Sequence, residues 1–285
     1  DGIIRAIGNP RERFGEDALR IMRAARFSGK LGFGIEEETF AAMGALKENL
    51  RLVSVERIWD ELVRLIKSDH PGKGLRYLHD SGALAVILPE LAQGDGVLQK
   101  GFHHEDVLQH SFTTCQKAAD LGASGFVRLA ALFHDIGKPA TRKPDGDRFS
   151  FHNHEVAGEA LVKTILKRLK ASNEEIDTVS HLVRHHMFSY TPGMTDSAVR
   201  RFIVRVGVEH IEDLFTLRIA DQLAIGGRAD IALLDEFSKR IDGIITSDDA
   251  LSIKDLAIGG NDLLALGIPK GRRIGQTLRY LLETV

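Results

Sequence analysis

Asp221 lies inside an apolar helical stretch, Leu-Arg-Ile-Ala-Asp-Gln-Leu-Ala-Ile, with Leu217, Ala220 and Ala224 around it. Burying a carboxylate there is costly unless positive charge meets it. His134-Asp135 poses the same problem at the end of Val-Arg-Leu-Ala-Ala-Leu-Phe. In chain order the sequence offers His110, His134-Asp135, His154, His185-His186 and Asp221, while His181 and His185 share a helix face. Imidazoles and carboxylates without thiolates suit a hydrolytic transition-metal centre. Such a centre requires each donor to sit on a helix whose other face is apolar, so that the side chains converge on a buried pocket. A helical Asp also caps, or pairs with a nearby Arg, here Arg218. Both readings of Asp221 stand at this point.

The rest of the chain supports a helical frame. Leu19, Met22, Ala25, Phe27 and Leu31 recur at helical spacing and predict one helix over 16–31, stopped by Gly32 and Gly34. Ser54 with Glu56 in the first turn marks another helix start. Helices are expected near 71–81, 82–92, 106–121, 126–136, 154–170, 173–187, 195–206, 209–224 and 229–246, with a polar, turn-rich loop over 138–150. No paired strands, repeats or low-complexity tracts are evident, so the expected class is all-α. Gln93–Gly101, rich in glycine, is the best boundary candidate.

Composition bounds the function. The 285 residues carry a net charge of −2 and a pI near 6.7, without the global basic excess of a dedicated DNA-binding domain. Nucleic-acid contact must come from local patches, and Arg5, Arg11, Arg13, Arg20, Arg23 and Arg26 supply one. Cys115 is the only cysteine, so neither an intramolecular disulfide nor a thiolate zinc site can be built; this fits a reducing compartment, and cytoplasmic location is expected. The apolar runs fall short of a membrane span, and no membrane partner is expected. The opening Asp-Gly-Ile-Ile-Arg is neither a signal peptide nor an initiator, and reads as the interior of a longer protein.

The stretch from His104-Glu-Asp-Val-Leu-Gln-His110, through Leu-Phe-His134-Asp135-Ile-Gly-Lys138-Pro, to Phe151-His-Asn-His154-Glu155 resembles the HD superfamily of metal-dependent phosphohydrolases, and more closely the HD domain of bacterial CCA-adding enzymes. The resemblance implies His110, His134, Asp135 and Asp221 as ligands of one divalent metal (Mn²⁺, Ni²⁺, Co²⁺, Fe²⁺ or Mg²⁺). His154 and His185 or His186 match positions that hold a second metal in some HD enzymes. The metal would polarise a phosphoryl oxygen and activate a water. Lys138, the expected catalytic cation, would stabilise phosphate charge; an exposed loop lysine is the alternative.

The first thirty residues carry a second resemblance. Arg5-Ala-Ile-Gly8-Asn-Pro10-Arg11-Glu-Arg13-Phe14-Gly-Glu16-Asp17-Ala-Leu-Arg20-Ile-Met-Arg23-Ala-Ala-Arg26-Phe27 is similar to the head-to-neck junction of bacterial CCA-adding enzymes and poly(A) polymerases, whose Glu-Asp-x-x-Arg motif matches Glu16, Asp17 and Arg20. Ser54-Val-Glu-Arg57-Ile-Trp59-Asp-Glu61-Leu resembles the next family motif, and Gly259–Gly271 a segment of the family tail. On a helix, Asp17 and Arg20 would share one face, able to match the Watson–Crick edge of an incoming CTP or ATP, or else simply to form an ion pair. Glu16, Asp17, Arg20 and Arg23 are the implied nucleotide-binding residues. Arg5, Arg11, Arg13 and Arg23 face triphosphate or RNA backbone, or form a solvated basic surface. Trp59 reads as a core anchor.

The expected organisation is a neck and body over 1–95, with the end of a head at 1–10, an HD domain over 96–228 and a helical tail over 229–285. The family's catalytic head, with its Gly-Ser pair and Mg²⁺-holding carboxylates, has no counterpart before Asp17, so nucleotide transfer is not expected from these residues alone. The implied function is RNA 3′-end processing as part of a tRNA CCA-adding nucleotidyltransferase or poly(A) polymerase, with tRNA or another RNA 3′ end as partner; the motifs do not separate the two. The alternatives are a stand-alone HD phosphohydrolase or 2′,3′-cyclic phosphodiesterase, and a non-enzymatic RNA-binding body.

Overall fold

The computed structural model describes residues 2–99, 105–146, 148–226, 229–247 and 256–284. His104 and the end of the Gln93–Gly101 boundary stretch lie outside the described residues. The architecture is all-α, with two small two-stranded sheets among the described residues. The chain divides into two compact units, Asp1–Met187 with Thr216–Gly227, and Phe188–Phe215 with Arg228–Val285.

The first unit opens with β1 (Ile3–Ile4), α1 (Pro10–Glu16), α2 (Leu19–Leu31) and β2 (Gly34–Ile35), which pairs in parallel with β1. The helix expected over 16–31 is α2, which begins at Leu19, and α1 is a separate helix ahead of it. Asp17 is extended (φ −151°, ψ 103°), and its Oδ1 accepts the Leu19 N–H at 3.1 Å. A short acidic side chain that bonds the backbone two residues on favours a helix start over a helix interior. Pro10 at the first turn and the Asn9 carboxamide, accepting the Arg11 N–H at 2.9 Å, begin α1. Gly32 ends α2 as expected, in the left-handed region at φ 67°.

Next come α3 (Glu37–Leu46), a 3₁₀ turn over Lys47–Leu52, α4 (Val55–Ile66), α5 (Pro71–Asp80), α6 (Ala83–Ile87) and α7 (Pro89–Ala92). Ile21, Met22, Leu62, Leu65, Leu75 and Leu78 are fully buried where α2, α4 and α5 pack, with Trp59 buried beside them.

The same unit continues with α8 (Val107–Asp120), α9 (Gly125–Phe133), α10 (Lys138–Thr141), an antiparallel hairpin of β3 (Lys143–Asp145) and β4 (Arg148–Ser150), α11 (His154–Arg168) and α12 (Asn173–His185). The hairpin and the one-turn α10 occupy the loop expected over 138–150. Side-chain caps set the helix starts: Asp106 for α8, Ser124 for α9, and Ser172 with Glu175 in a reciprocal capping box for α12.

The second unit contains α13 (Asp196–Val206), the start of α14 (Val208–Ala224), α15 (Ala229–Thr246), α16 (Gly260–Ala265) and α17 (Arg272–Thr284). Its core is aromatic: Phe237 packs against Phe188, Phe202, Phe215 and Tyr190, the last stacked at 4.5 Å. Among the described residues, no helix is long and apolar enough to cross a membrane.

Candidate metal centre and the neck

α8 and α9 bury apolar faces and deliver His110 and His134-Asp135 to one place. Asp221, on the part of α14 that belongs to the first unit, meets them. His110 Nε2 lies 3.0 Å from Asp221 Oδ1 and 3.9 Å from Asp135 Oδ2. His134 Nε2 lies 3.2 Å from Asp135 Oδ2 and 3.7 Å from Asp221 Oδ1. All four side chains are buried.

Asp135 faces two ways. Its Oδ1 is 3.3 Å from His154 Nε2 and 3.8 Å from His186 Nε2, and those two nitrogens are 3.2 Å apart. Two buried donor groups therefore share Asp135, namely His110–His134–Asp135 and Asp135–His154–His186. His185 is not part of either. Adjacent helical residues diverge by about 100°, and with His186 turned inward, the His185 ring packs instead on His181 at 4.5 Å.

The imidazoles are oriented for ligation. Nδ1 of His134, His154 and His186 sits 2.8, 2.8 and 2.7 Å from the carbonyl oxygens of Ala131, Phe151 and Val183. A carbonyl only accepts, so each Nδ1 carries a hydrogen and donates it, while Nε2 turns into the site. His134 Nε2 is buried and makes no hydrogen bond. A buried ring nitrogen with an unpartnered lone pair is expensive in a protein interior, and a cation between it and the carboxylates would satisfy it. The residues present thus fit a divalent metal.

The electrostatics agree. Burial depresses His134, yet the charges of Asp135 and Asp221 outweigh it and raise the ring above its ordinary range, so the carboxylates draw positive charge to this spot. Burial opposes ionisation of Asp135 as well, but His134 and Lys138 hold it well below the usual carboxylate range. Asp221 is also lowered, its burial outweighed by the hydrogen bond from His110 and the charge of His134. His186 is pushed down to about 3, by burial first and by the charge of His134 next, so it stays neutral.

Two cations border the donors. Lys138 Nζ donates to Asp135 Oδ2 at 2.6 Å and to the Gln99 carboxamide. Arg218 donates to Asp221 Oδ2 at 2.8 Å, so the arginine partner and the clustered site coexist. The centre opens into a cavity of about 450 Å³, whose lining includes donors, Lys138, Arg218, Phe149, Phe151 and Met187. Carboxylates, imidazoles and flanking cations can hold a metal and a phosphate group side by side.

The neck residues form a different network. Glu16 binds Arg20 at 2.5 Å and Arg13 at 2.9 Å, and Arg20 also donates to the Arg13 carbonyl at 2.8 Å. Asp17 does not pair with Arg20, because the break after α1 separates them. Its Oδ2 accepts from Arg57 of α4 at 2.9 Å. Arg23 and Arg26 converge on Glu61, which is only 5% exposed, at 3.3 and 2.6 Å. Arg57 and Glu61 fall in a segment whose family likeness the sequence signalled, without their pairing roles. Arg5, Arg13, Arg20 and Arg23 line a cavity of about 280 Å³, together with Phe14 and Phe27. Arg11 is exposed at the start of α1.

Comparison with known proteins agrees with both parts. Residues 32–94 match the probable RNA- and SrmB-binding site of polymerase A, and residues 107–225 match the HD domain. The chain is 34% identical over 283 residues to the A-adding tRNA nucleotidyltransferase of Deinococcus radiodurans, covering 94% of this chain and 64% of that protein. It is also 34% identical to the CC-adding tRNA nucleotidyltransferase of Thermus thermophilus, over 95% and 63%. The chain matches the body and HD portion of the CCA-adding tRNA nucleotidyltransferase family. It carries the RNA-binding and HD portions of that family and spans somewhat less than two thirds of these relatives' length. The crystal structure of the Bacillus stearothermophilus CCA-adding enzyme in complex with CTP shares the fold, with a TM-score of 0.65 at 22% identity, over 99% of this chain and 60% of that one.

Proposed function

We propose that these residues serve RNA 3′-end processing by selecting the incoming nucleotide in the neck and by hydrolysing phosphate esters in the HD domain. Residues 1–95 act as neck and body, 96–228 as the HD domain and 229–285 as the tail; the two family matches fall within the first two spans. The observation that carries the hydrolase half is the sharing of Asp135 between two buried His-containing donor groups.

His110, His134, Asp135 and Asp221 hold one divalent ion, and Asp135, His154 and His186 hold a second. Imidazole-rich ligation favours Mn²⁺, Fe²⁺, Co²⁺ or Ni²⁺ over Mg²⁺ alone. When bound, the metal supplies charge that polarises a phosphoryl oxygen and favours the deprotonated form of a water. Lys138 and Arg218 lie where they can draw a phosphate group to the donors and offset its charge.

In the neck, Glu16 holds Arg20, and Arg57 holds Asp17, so a guanidinium and a carboxylate are fixed for the Watson–Crick edge of CTP or ATP, with Arg23 beside the Arg20 cavity. The named activities of the relatives and the CTP complex of the structural neighbour support this reading. A-adding and CC-adding relatives match equally well, so addition of A, of CC or of the full CCA is consistent with these residues. Transfer is expected only where they are joined to a head bearing Mg²⁺-holding carboxylates. A cytoplasmic location fits such a tRNA-processing role.

Elemental analysis of the purified chain, with phosphatase assays on bis-p-nitrophenyl phosphate and 2′,3′-cyclic AMP, tests the hydrolase half. Bound transition metal and activity, both lost in His134→Ala/Asp135→Ala, are expected. Metal content and activity indifferent to those substitutions would remove it. CTP and ATP titrations of the chain and of Asp17→Ala and Arg20→Ala test the neck, where both variants should weaken binding.

A further inference from the structure

The glycine-rich stretch after α7 is pinned to the first turn of α8, the helix that carries His110. The Gly96 N–H donates to Asp106 Oδ2 at 3.0 Å, the Val107 N–H donates to the Val97 carbonyl at 3.0 Å, and Leu98 forms a β-bridge with Asp106. Gln99 follows directly, so its side chain starts from an anchored backbone. Its carboxamide reaches Lys138, 39 residues on in the chain, and accepts from Nζ through Oε1. An ammonium only donates, so the carbonyl end of the carboxamide must face it. The other end, Nε2, is buried and has no hydrogen-bond partner among the described residues. A buried donor left unmade costs free energy. The place of Gln99 is therefore accounted for by what its oxygen holds.

Lysine carries a compact charge on a flexible stem, and its partners decide where that charge sits. Lys138 Nζ has three N–H groups. One goes to Asp135 Oδ2 at 2.6 Å and one to Gln99. The centre of the Phe151 ring lies 5.8 Å from Nζ, just within the range of cation–π attraction. Lys138 lines the cavity, with its side chain 13% exposed, and its third N–H is left for a ligand oxygen. Held by Asp135 alone, the ammonium could turn about a single bond. A second anchor fixes it. That anchor is neutral, so it holds the cation without cancelling its charge, as a second carboxylate would.

We propose that Gln99 is a positioning residue of the HD site, holding the Lys138 ammonium beside Asp135 with one N–H kept for the phosphate group. It acts through Lys138 and touches no substrate. This rests on the phosphohydrolase reading, which gives Lys138 a phosphate to meet, while the anchoring of Lys138 rests on the contacts of Gln99.

The test is a double-mutant cycle read by phosphate affinity. Inorganic phosphate is titrated by calorimetry into the Mn²⁺-loaded parent chain, Gln99→Met, Lys138→Met and the double variant. Methionine keeps the length of both side chains and removes the acceptor or the charge. The His134→Ala/Asp135→Ala chain measures phosphate held elsewhere, at the neck arginines, and that signal is subtracted. Lys138→Met should weaken phosphate by about tenfold or more, the scale of a hydrogen bond to a charged group. Gln99→Met should weaken it by about fivefold, the scale of one ordinary hydrogen bond. On the Lys138→Met background, Gln99→Met should change nothing further, because a residue that acts through another has no effect once that other is gone. Metal content and thermal midpoint should match the parent in Gln99→Met.

Equal weakening by Gln99→Met on both backgrounds, or no weakening on either, overturns the proposal and leaves the phosphohydrolase reading standing. Loss of metal in Gln99→Met overturns it too, since the residue would then serve the build of the centre. Gln99→Ala, carried through the same cycle, decides the matter should methionine disturb folding. If the metal-loaded parent binds no more phosphate than the His134→Ala/Asp135→Ala chain, the phosphohydrolase reading falls and takes the proposal with it.

Discussion

His110 and Asp221 are 111 residues apart in the chain and 3.0 Å apart across the centre. The contact ties α8 to α14 through a carboxylate that would be too costly to bury alone. A metal ion held between them, with His134 and Asp135, would cross-link α8, α9 and α14. Chelation should therefore lower the thermal midpoint of the protein. Ligand occupancy at a hundred times Kd is worth about 2.7 kcal/mol, so a loss of several degrees on treatment with EDTA is expected. Differential scanning calorimetry checks it. The His134→Ala/Asp135→Ala chain should melt at the same temperature with and without chelator, and an equal shift in that variant would count against metal at this site.

Glu61 takes ion pairs from both Arg23 and Arg26, and it is buried. Its removal strands Arg26, whose side chain is 15% exposed. Breaking a buried pair from one side costs about 3 kcal/mol. Glu61→Ala should lower the urea midpoint accordingly, whereas Arg64→Ala, which breaks an exposed pair with Asp60, should change it by less than about 1 kcal/mol. Equal effects of the two would show that Glu61 does not organise α2 against α4.

Asp17 gives a pH signature. Partial burial raises its pKa, but the Arg57 hydrogen bond, the Leu19 amide and the charges of Arg57 and Arg23 outweigh this and lower it. A carboxyl lower in the folded than in the unfolded state adds stability above its ordinary range, and that gain is lost as pH falls through the folded value. The stability difference between the parent chain and Asp17→Asn should thus be largest near neutral pH and shrink in acid. Denaturant titrations across the acid range check it, and a difference that stays constant would exclude ionisation as its source.

Long periodic segments were legible in the sequence because their apolar spacing reports burial directly. α4, α5, α8, α9 and α11 through α15 lie where the pattern places them. The break at Asp17 follows Gly15 by two residues, and the capping of the Leu19 amide by Asp17 sets the start of α2. The start of α1 carries its signal in Asn9-Pro10, outside any apolar periodicity. The hairpin strands are three residues each, too short for alternation to show. At the centre, residue types and order named the donors, but not which of two adjacent histidines turns inward. That choice depends on the orientation of α12 as packed against α9 and α11, which neither histidine encodes.

Gly137, between the His-Asp pair and Lys138, tests how finely the centre is spaced. A Cβ there would fall 2.1 Å from the His154 carbonyl oxygen and 2.7 Å from the Gly158 backbone nitrogen. Both are backbone atoms of α11 and cannot swing aside as a side-chain tip would. Its φ of −78° is ordinary, so the constraint is contact and not backbone strain. Gly137→Ala must push α11 away from the turn after α9. His154 moves with α11, while His134 and Asp135 stay with α9, so the two donor groups that share Asp135 are pulled apart. Overpacking of this kind costs about 1–3 kcal/mol. The variant should fold with a lowered midpoint, retain helicity by circular dichroism and bind less metal per chain, the His154–His186 group being lost before the His110–His134 group. Metal stoichiometry by mass spectrometry of the native protein reads this directly. Full metal content in Gly137→Ala would mean that α11 can shift without disturbing His154, and that the close approach serves packing alone.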